Sequence, residues 1–239
     1  MNKTLVIIPT YNESENIQTV VDKILGLNIP NLAILVVDDN SPDKTGEIVA
    51  KRAATDMRVK LIQRSGKMGL GTAYVAGFKY ALDNGFEYIF EMDADLSHDP
   101  EDIPRFLEKI KSYDLVIGSR YKTGVNVINW PLSRLMLSVF ANWYTKNITG
   151  LPIYDCTSGY KCFRRSVLQK IDLNKISSDG YSFQIEMNYK AWKAGFSFFE
   201  LPIIFTDREK GSSKMTRKVM KEAAWMVWKL RFMGLEDEM

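Results

Sequence analysis

The chain has 239 residues, of which 46% are hydrophobic, 26% charged and 12% aromatic, with 32 Lys and Arg against 29 Asp and Glu. That is ordinary globular usage and excludes a disordered, collagen-like or purely coiled-coil chain. A net charge of +3 excludes the generalised nucleic-acid binding that a strongly basic domain supports. The length suits one domain, and residues 1–239 are read as such, without linker, repeat or low-complexity tract. Two cysteines, Cys156 and Cys162, cannot build a disulfide framework; they suit a reducing compartment and read as small core residues.

Leu5-Val6-Ile7-Ile8 is a buried-strand run stopped by Pro9. A helix follows with Ile17, Val20, Val21, Ile24 and Leu25 on one face, and Asn12 and Glu15 have capping-box spacing before it. Residues 33–37 form the second strand, and Ser41-Pro42 starts a second helix with proline at its first position. Residues 59–62 are a third strand, 71–84 a helix ended by Gly85, and 88–92 a fourth strand. Asp99-Pro100 caps a helix with Ile103, Phe106, Leu107 and Ile110 inward, and 115–117 is the fifth strand. Repeated strand–helix units imply a mainly parallel sheet covered on both faces. The second half is less regular. It offers a helix over 131–147 with an apolar stripe of Leu132, Leu135, Met136, Val139, Phe140 and Trp143, a mixed strand region over 198–205 and a long helix over about 215–232. No apolar stretch approaches the length that crosses a bilayer, and no signal-peptide core precedes the first strand, so the expected protein does not span a membrane.

Polar residues stand where the strands end: Tyr11-Asn12-Glu13, Asp38-Asp39, Asp93 with Asp95, and Ser119-Arg120. Ligands of open α/β sheets bind there. Asp93 and Asp95 are hard oxygen donors suited to Mg²⁺ or Mn²⁺ and, through the ion, to a diphosphate; the same pair also reads as loop-capping. Asp38-Asp39 either accepts hydrogen bonds from a base or ribose or caps the turn at Asn40-Ser41-Pro42. Gly66-Lys67-Met68-Gly69-Leu70-Gly71 precedes a helix; it either cradles an anion or forms a plain turn, and it is not a Walker loop. Arg134 and Ser138 are four apart and share a helix face, and the arginine fork matches phosphate. His98, the one histidine, stands beside the aspartates, with a structural and a site role both open.

From 208 to 231, Arg208, Lys210, Lys214, Arg217, Lys218, Lys221, Lys229 and Arg231 face two acids, Glu209 and Glu222. Met215, Val219, Ala223, Met226, Leu230 and Met233 follow helical spacing beside a row of Trp225, Trp228 and Phe232. The pattern suits a helix lying at a lipid interface or a core-packing helix with a solvated basic end.

Together these pieces resemble the family 2 glycosyltransferases with the GT-A fold, and within them the polyprenyl-phosphate sugar transferases, dolichyl-phosphate mannose synthases above all. The resemblance covers nearly the whole chain. It rests on Ile8-Pro9-Thr10-Tyr11-Asn12-Glu13, Val36-Val37-Asp38-Asp39-Asn40-Ser41, Met92-Asp93-Ala94-Asp95-Leu96-Ser97-His98, Gly118-Ser119-Arg120-Tyr121, Asp155-Cys156-Thr157-Ser158-Gly159-Tyr160 and Asp207-Arg208-Glu209-Lys210-Gly211-Ser212-Ser213-Lys214. It implies an α/β, Rossmann-like, mainly parallel sheet flanked by helices, with a smaller mixed acceptor-side region and a C-terminal amphipathic helix. It implies inverting transfer of a sugar from a nucleotide diphosphate sugar to polyprenyl (dolichyl) phosphate, peripherally, at the cytoplasmic face of a membrane. Mannose from GDP-mannose comes first and glucose from UDP-glucose next. A small membrane-anchoring subunit is a partner that it admits.

The resemblance also implies roles. Pro9, Tyr11, Glu13 and Asp39, with Lys67, line the nucleotide-sugar pocket, and Asp93 and Asp95 hold the divalent metal and the diphosphate. Ser97 stands where some relatives carry a metal-binding Gln. Arg120, Arg134 and Ser138 grip the lipid phosphate, and Arg208 and Lys214 belong to a mobile loop, within an acceptor region over about 208–233, that closes over the phosphates. Asp95, Arg120, Arg134, Arg208 and Lys214 form the implied catalytic set. A Gln-x-x-Arg-Trp motif, carried by processive polysaccharide synthases, is absent. A phosphomonoester has a second pKa of about 6 and is largely dianionic near neutrality, so it needs little help from a base. A glycan hydroxyl would need one, for which Asp155 is the candidate. A non-catalytic nucleotide-sugar-binding subunit is the reading from another class.

Overall fold

The computed structural model describes residues 2–176, 178–207 and 217–232, the last stretch with side chains from 224 onward. The first half alternates as its pattern predicts: β1 (Thr4–Thr10), α1 (Ile17–Gly26), β2 (Leu32–Asp38), α2 (Thr45–Thr55), β3 (Val59–Gln63), α3 (Leu70–Asp83), β4 (Tyr88–Glu91), α4 (Ile103–Lys109) and β5 (Leu115–Ser119). The second half adds β6 (Val127–Ile128), α5 (Leu132–Thr149), β7 (Lys161–Arg164), α6 (Arg165–Lys170), α7 (Gly180–Lys193), β8 (Phe198–Pro202), β9 (Phe205–Thr206) and α8 (Arg217–Phe232).

Seven strands form one sheet in the order β3-β2-β1-β4-β7-β5-β8, and β6 pairs with β9 apart from it. The pairs β1–β2, β1–β4, β2–β3 and β5–β8 are parallel, whereas β7 runs against both neighbours, β4 and β5. Side chains alternate across a strand, so Leu5 and Ile7 join one core and Val6 and Ile8 the other. The first core is covered by α3, α6, α7 and α8, and the second by α1, α2 and α4. This is the mainly parallel, two-sided α/β architecture expected.

Local details differ. Asn12 adopts a left-handed conformation, φ 61°, and α1 starts after Asn16, which caps it without a side-chain bond; the Asn12–Glu15 capping box does not form. The turn after Pro42 delays α2 to Thr45, because Asp38 holds the Ser41 amide and hydroxyl and Lys44 turns left-handed. Asp99 does cap, but it caps a 3₁₀ turn at Pro100–Asp102 ahead of α4.

The largest difference concerns α5. Its stripe of Leu132, Met136, Val139, Phe140 and Trp143 is exposed, Leu132 at 70% and Trp143 at 60%. The buried face carries Asn142, Thr145 and Thr149 instead. The stripe is therefore not a core face. On α8 the two rows separate: Met226, Val227 and Leu230 are buried, while Trp225, Trp228 and Phe232 are exposed. The Trp228 indole N–H donates to the Tyr144 hydroxyl at 2.8 Å, which joins α8 to α5. Met215 and Met233 lie outside the described residues, and so do the side chains of Arg217, Lys218, Val219, Lys221 and Ala223. Among the described residues, no helix is long and apolar enough to cross a membrane.

Candidate active site

A cleft of about 380 Å³ opens beyond the carboxyl ends of the parallel strands. It gathers Pro9 from the end of β1, Tyr11 and Glu13 after it, Asp39 after β2, Lys67 before α3, Asp93 and Asp95 after β4, Arg120 after β5 and Arg134 from α5. Ser138 is in an adjoining apolar groove of about 290 Å³, which shares Arg134, Thr157 and Tyr181 with the cleft. Arg208 and Lys214 lie outside the described residues.

The two residues of Asp38-Asp39 part: the turn-capping alternative holds for Asp38, and Asp39 lines the cleft. Asp38 is fully buried and accepts from Thr10 Oγ1 at 2.9 Å, from the Ser41 amide at 3.0 Å and from the Ser41 hydroxyl, so it caps the turn. Asp39 faces the cleft, fixed by an ion pair with Arg64 and by the Met68 amide at 3.0 Å. Arg64 also donates to the Gly69 carbonyl and to Thr72 Oγ1, tying the glycine loop to β2. Lys67 lies over the Tyr11 ring at 4.5 Å.

The anion expected at the α3 N-terminus belongs to the protein. Asp179 Oδ1 accepts from the Gly71 and Gly180 amides, both at 2.8 Å, and so caps α3 and α7 together. A Cβ on Gly71 would lie 2.3 Å from the Ser178 carbonyl oxygen, so the loop needs glycine for this close approach. The loop is a packed turn rather than an open phosphate cradle.

After β4 the chain turns sharply at Leu96, which takes a left-handed φ of 62°. Such strain costs roughly 1–2 kcal/mol in a non-glycine residue. Asp95 stabilises the turn by accepting the Ser97 amide at 3.1 Å. His98 is 2% exposed, stacked on Tyr160 and edge-on to Phe205. Its Nδ1 accepts the Asp93 amide at 3.1 Å. Burial, aided by the Arg120 charge and opposed by Asp95, pushes its pKa down to about 4. His98 is thus a neutral ring that braces the Asp93 turn. Ser97 is buried.

Among the described residues, no group of three His, Cys, Asp or Glu is placed to hold a metal. Two cleft carboxylates are nonetheless a fitting donor set for Mg²⁺ or Mn²⁺, which bind through one or two carboxylates and complete their shell with substrate phosphates and water.

Arg120 is 5% exposed and forms a bidentate pair with Asp155: Nε to Oδ2 at 2.7 Å and Nη2 to Oδ1 at 2.6 Å. Burial opposes its charge, but the field and hydrogen bonds of Asp155 outweigh it and raise the Arg120 pKa above its ordinary value. Arg134 pairs with Asp207 at 2.7 Å. Its guanidinium lies 4.1 Å from the Trp130 ring centre, and that of Arg120 lies 5.5 Å from the same ring. Both guanidinium groups thus lie against Trp130, which lines the groove beside the cleft. Ser138 does share the Arg134 face, and it accepts from the Tyr121 hydroxyl at 2.7 Å.

Beneath the cleft, Glu91 and Lys161 are fully buried cross-strand partners on β4 and β7, 3.9 Å apart. Burial pushes the Glu91 pKa up to about 7 and the Lys161 pKa down to about 8. Lys161 also donates to both oxygens of Gln184, which lines the cleft. Both thiols are buried, and burial raises both their pKa values. Sequence reasoning missed Arg64, Trp130, Asp179 and Gln184. The available signal for Asp179 was an Asp-Gly pair opening a helix that has no amphipathic stripe.

The sequence matches the family described as Glycosyl transferase family 2 over residues 5–172. A polyprenol monophosphomannose synthase of Mycolicibacterium smegmatis is 48% identical over 233 residues, spanning 96% of this chain and 88% of that protein. An undecaprenyl-phosphate mannosyltransferase of Micrococcus luteus is 44% identical over 221 residues, spanning 92% and 90%. The crystal structure of glucosyl-3-phosphoglycerate synthase from Mycobacterium tuberculosis in complex with Mn²⁺, uridine diphosphate and phosphoglyceric acid aligns with a TM-score of 0.71 over 98% of this chain and 80% of that one. At 15% identity that likeness speaks for the GT-A fold alone. On the family match and two relatives above 40% identity, the chain belongs to glycosyl transferase family 2 and is a glycosyltransferase.

Proposed function

We propose that this enzyme moves mannose, with inversion, from GDP-mannose to a polyprenyl phosphate at a membrane surface. The observation that carries the reading is the pair of guanidinium groups against Trp130 where a cleft lined by charged groups meets an apolar groove. A lipid phosphate has that same polarity: a dianionic head and a hydrocarbon tail. The groove walls include Leu137, Phe140, Ala141, Ile185 and Val227, which suit isoprene units. Both named relatives are polyprenol or undecaprenyl-phosphate mannosyl enzymes, which favours mannose and this acceptor class.

In the proposed reaction an acceptor phosphate oxygen bonds to the anomeric carbon as the bond from that carbon to the diphosphate breaks. Arg120 and Arg134 hold the acceptor anion and reduce its repulsion from the donor. Asp39, Lys67 and Tyr11 orient the nucleotide with Pro9 and Glu13. Asp93 and Asp95 would hold Mg²⁺ or Mn²⁺, which when bound neutralises charge on the departing diphosphate. Arg208 and Lys214, outside the described residues, keep the phosphate-closing role that the resemblance implies.

A glycan acceptor would call on Asp155 as base, but both its carboxylate oxygens are engaged by a buried arginine. That arrangement weighs against the alternative. The test supplies labelled GDP-mannose or UDP-glucose with polyprenyl phosphate or a glycan. Label should pass from GDP-mannose to the lipid. Label appearing in the glycan instead, or donor binding without transfer to any acceptor, overturns the proposal.

A further inference from the structure

The segment 155–160 carries a motif whose role the donor and acceptor assignments leave open. Its geometry concerns the number of donors Arg120 can offer. A guanidinium has five N–H bonds in a rigid plane. Nε and one Nη2 hydrogen go to Asp155, and the other Nη2 hydrogen goes to Thr157 Oγ1 at 2.9 Å. Among the described residues, Nη1 has no hydrogen-bond partner. The Arg120 backbone amide also donates to Asp155 Oδ2, at 2.9 Å. Rings of Tyr121, Trp130 and Phe205 surround the guanidinium at 5.3 to 5.6 Å. The plane therefore has one orientation, with the Nη1 edge unspent in a residue that lines the cleft.

Asp155 is itself held from three separate elements. Glu200 Oε1, on β8, accepts the Tyr154 amide at 2.9 Å and the Asp155 amide at 3.0 Å. Asn142, on α5, accepts the Cys156 amide at 2.7 Å. Asn188, on α7, donates to the Cys156 carbonyl at 3.0 Å. Glu200 is 6% exposed, Asn142 5% and Asn188 0%. A buried carboxylate spent on two backbone amides of one short segment fixes that segment strongly, because charge-assisted bonds weaken little where water is excluded.

We propose that Asp155, with Glu200 and Asn142 behind it, forms a positioning device that presents the Nη1 edge of Arg120 to the acceptor phosphate. This rests on the lipid-phosphate reading above. Asp155 then acts on substrate through Arg120 and moves no proton. Glu200 and Asn142 couple the outer strand β8 and the helix α5 to the same cation, so acceptor recognition depends on residues that never touch the acceptor.

The test is a double-mutant cycle. Asp155→Asn and Glu200→Gln are made alone and with Arg120→Lys, and kinetics are read with polyprenyl phosphate against donor affinity by calorimetry. Each single variant should raise the acceptor KM about tenfold or more while donor Kd moves less than about twofold. With Arg120→Lys already present, the second change should add less than about twofold, because no fork remains to be oriented. Additive effects, or parallel loss of donor affinity, overturn the positioning role. Should Asp155→Asn fail to fold, Thr157→Val removes one bond to Nη2 and enters the same cycle. A second readout needs no acceptor. The Arg120 Nε–H resonance should report hindered rotation in the wild type and free rotation in Glu200→Gln, and unchanged hindrance overturns the proposal. A wild type that passes no sugar to polyprenyl phosphate sinks the acceptor reading instead, so the two failures are distinguishable.

Discussion

On the side of the cleft formed by β1, β2 and β4, carboxylates stand at strand ends, Asp95 shaped by its own turn through Ser97 and Asp39 by the glycine loop through Arg64 and Met68. On the side formed by β5, α5 and residues 155–159, guanidinium groups are held by carboxylates distant in sequence: Arg120 by Asp155 and Arg134 by Asp207. One wall is acidic, local at Asp95 and tied at Asp39 to Arg64 and Met68; the other is basic and assembled from afar. The difference suits two anions that must meet. The acidic wall fits a cation carried with the donor diphosphate, and the basic wall fits a bare phosphate. It also teaches where damage spreads. A change at Asp95 stays within a turn, whereas a change in the second wall reaches across three elements.

The comparison can be broken first on the acidic wall. Asp95→Ala should cut transfer by on the order of a thousandfold, because it removes charge from the diphosphate end of the cleft. Initial rates measure it, and full activity in a strong chelator would remove the metal role altogether. On the basic wall, Arg134→Ala should raise the acceptor KM by about tenfold to a hundredfold with donor affinity unchanged, as expected for a partly buried charge-assisted contact. If nucleotide affinity fell and the acceptor KM held, Arg134 would belong to the donor side. The smallest effect concerns the outer face of the basic wall. Wild-type protein should float with anionic vesicles and do so less in high salt. Replacing Trp225 and Trp228 together by Gln should lower the floated fraction several-fold, and Trp225→Gln alone, which keeps the Trp228–Tyr144 bond, should lower it without altering the thermal transition. Protein that stays in solution at low salt, even with polyprenyl phosphate in the vesicles, would make the exposed α5 and α8 rows a surface for a protein partner.

The same contrast explains what could be read from sequence. The strand–helix alternation of residues 4–119 is periodic, and its strand-end polar residues do converge on one cleft. Period alone could not say which of Asp38 and Asp39 turns inward, because that depends on Ser41 on one side and Arg64 on the other. The α5 stripe has helical spacing, but spacing does not tell a core from an outward face; Asn142, bonding inward to the Cys156 amide, and buried Thr145 decided it. The helix α7 was invisible because Ser182, Gln184, Glu186, Asn188 and Lys190 are all buried, leaving no polar stripe to set against an apolar one. The strand β7 has four residues, Lys161 to Arg164, two of them basic, and Gln184 together with the ion pair to Glu91 makes the burial of Lys161 acceptable. The glycine loop left an anion cradle and a plain turn open, and could not reveal that Asp179, 108 residues onward, caps it as a packed turn.

The reversed direction of β7 also has a consequence for the chain as it is made. The strands β3, β2, β1 and β4 can pair as soon as residues 4–91 exist. The next strand in sequence, β5, has no place beside β4, because β7 must lie between them. Until residues 161–164 emerge from the ribosome, β4 therefore keeps an open edge, with Ile89, Phe90 and Glu91 awaiting Phe163, Cys162 and Lys161. Such an edge is a template for wrong pairing with another nascent chain. Glu91 at the end of that edge, costly to bury until its lysine arrives, discourages a premature partner, so the charge that later lies beneath the cleft also serves as a guard during synthesis.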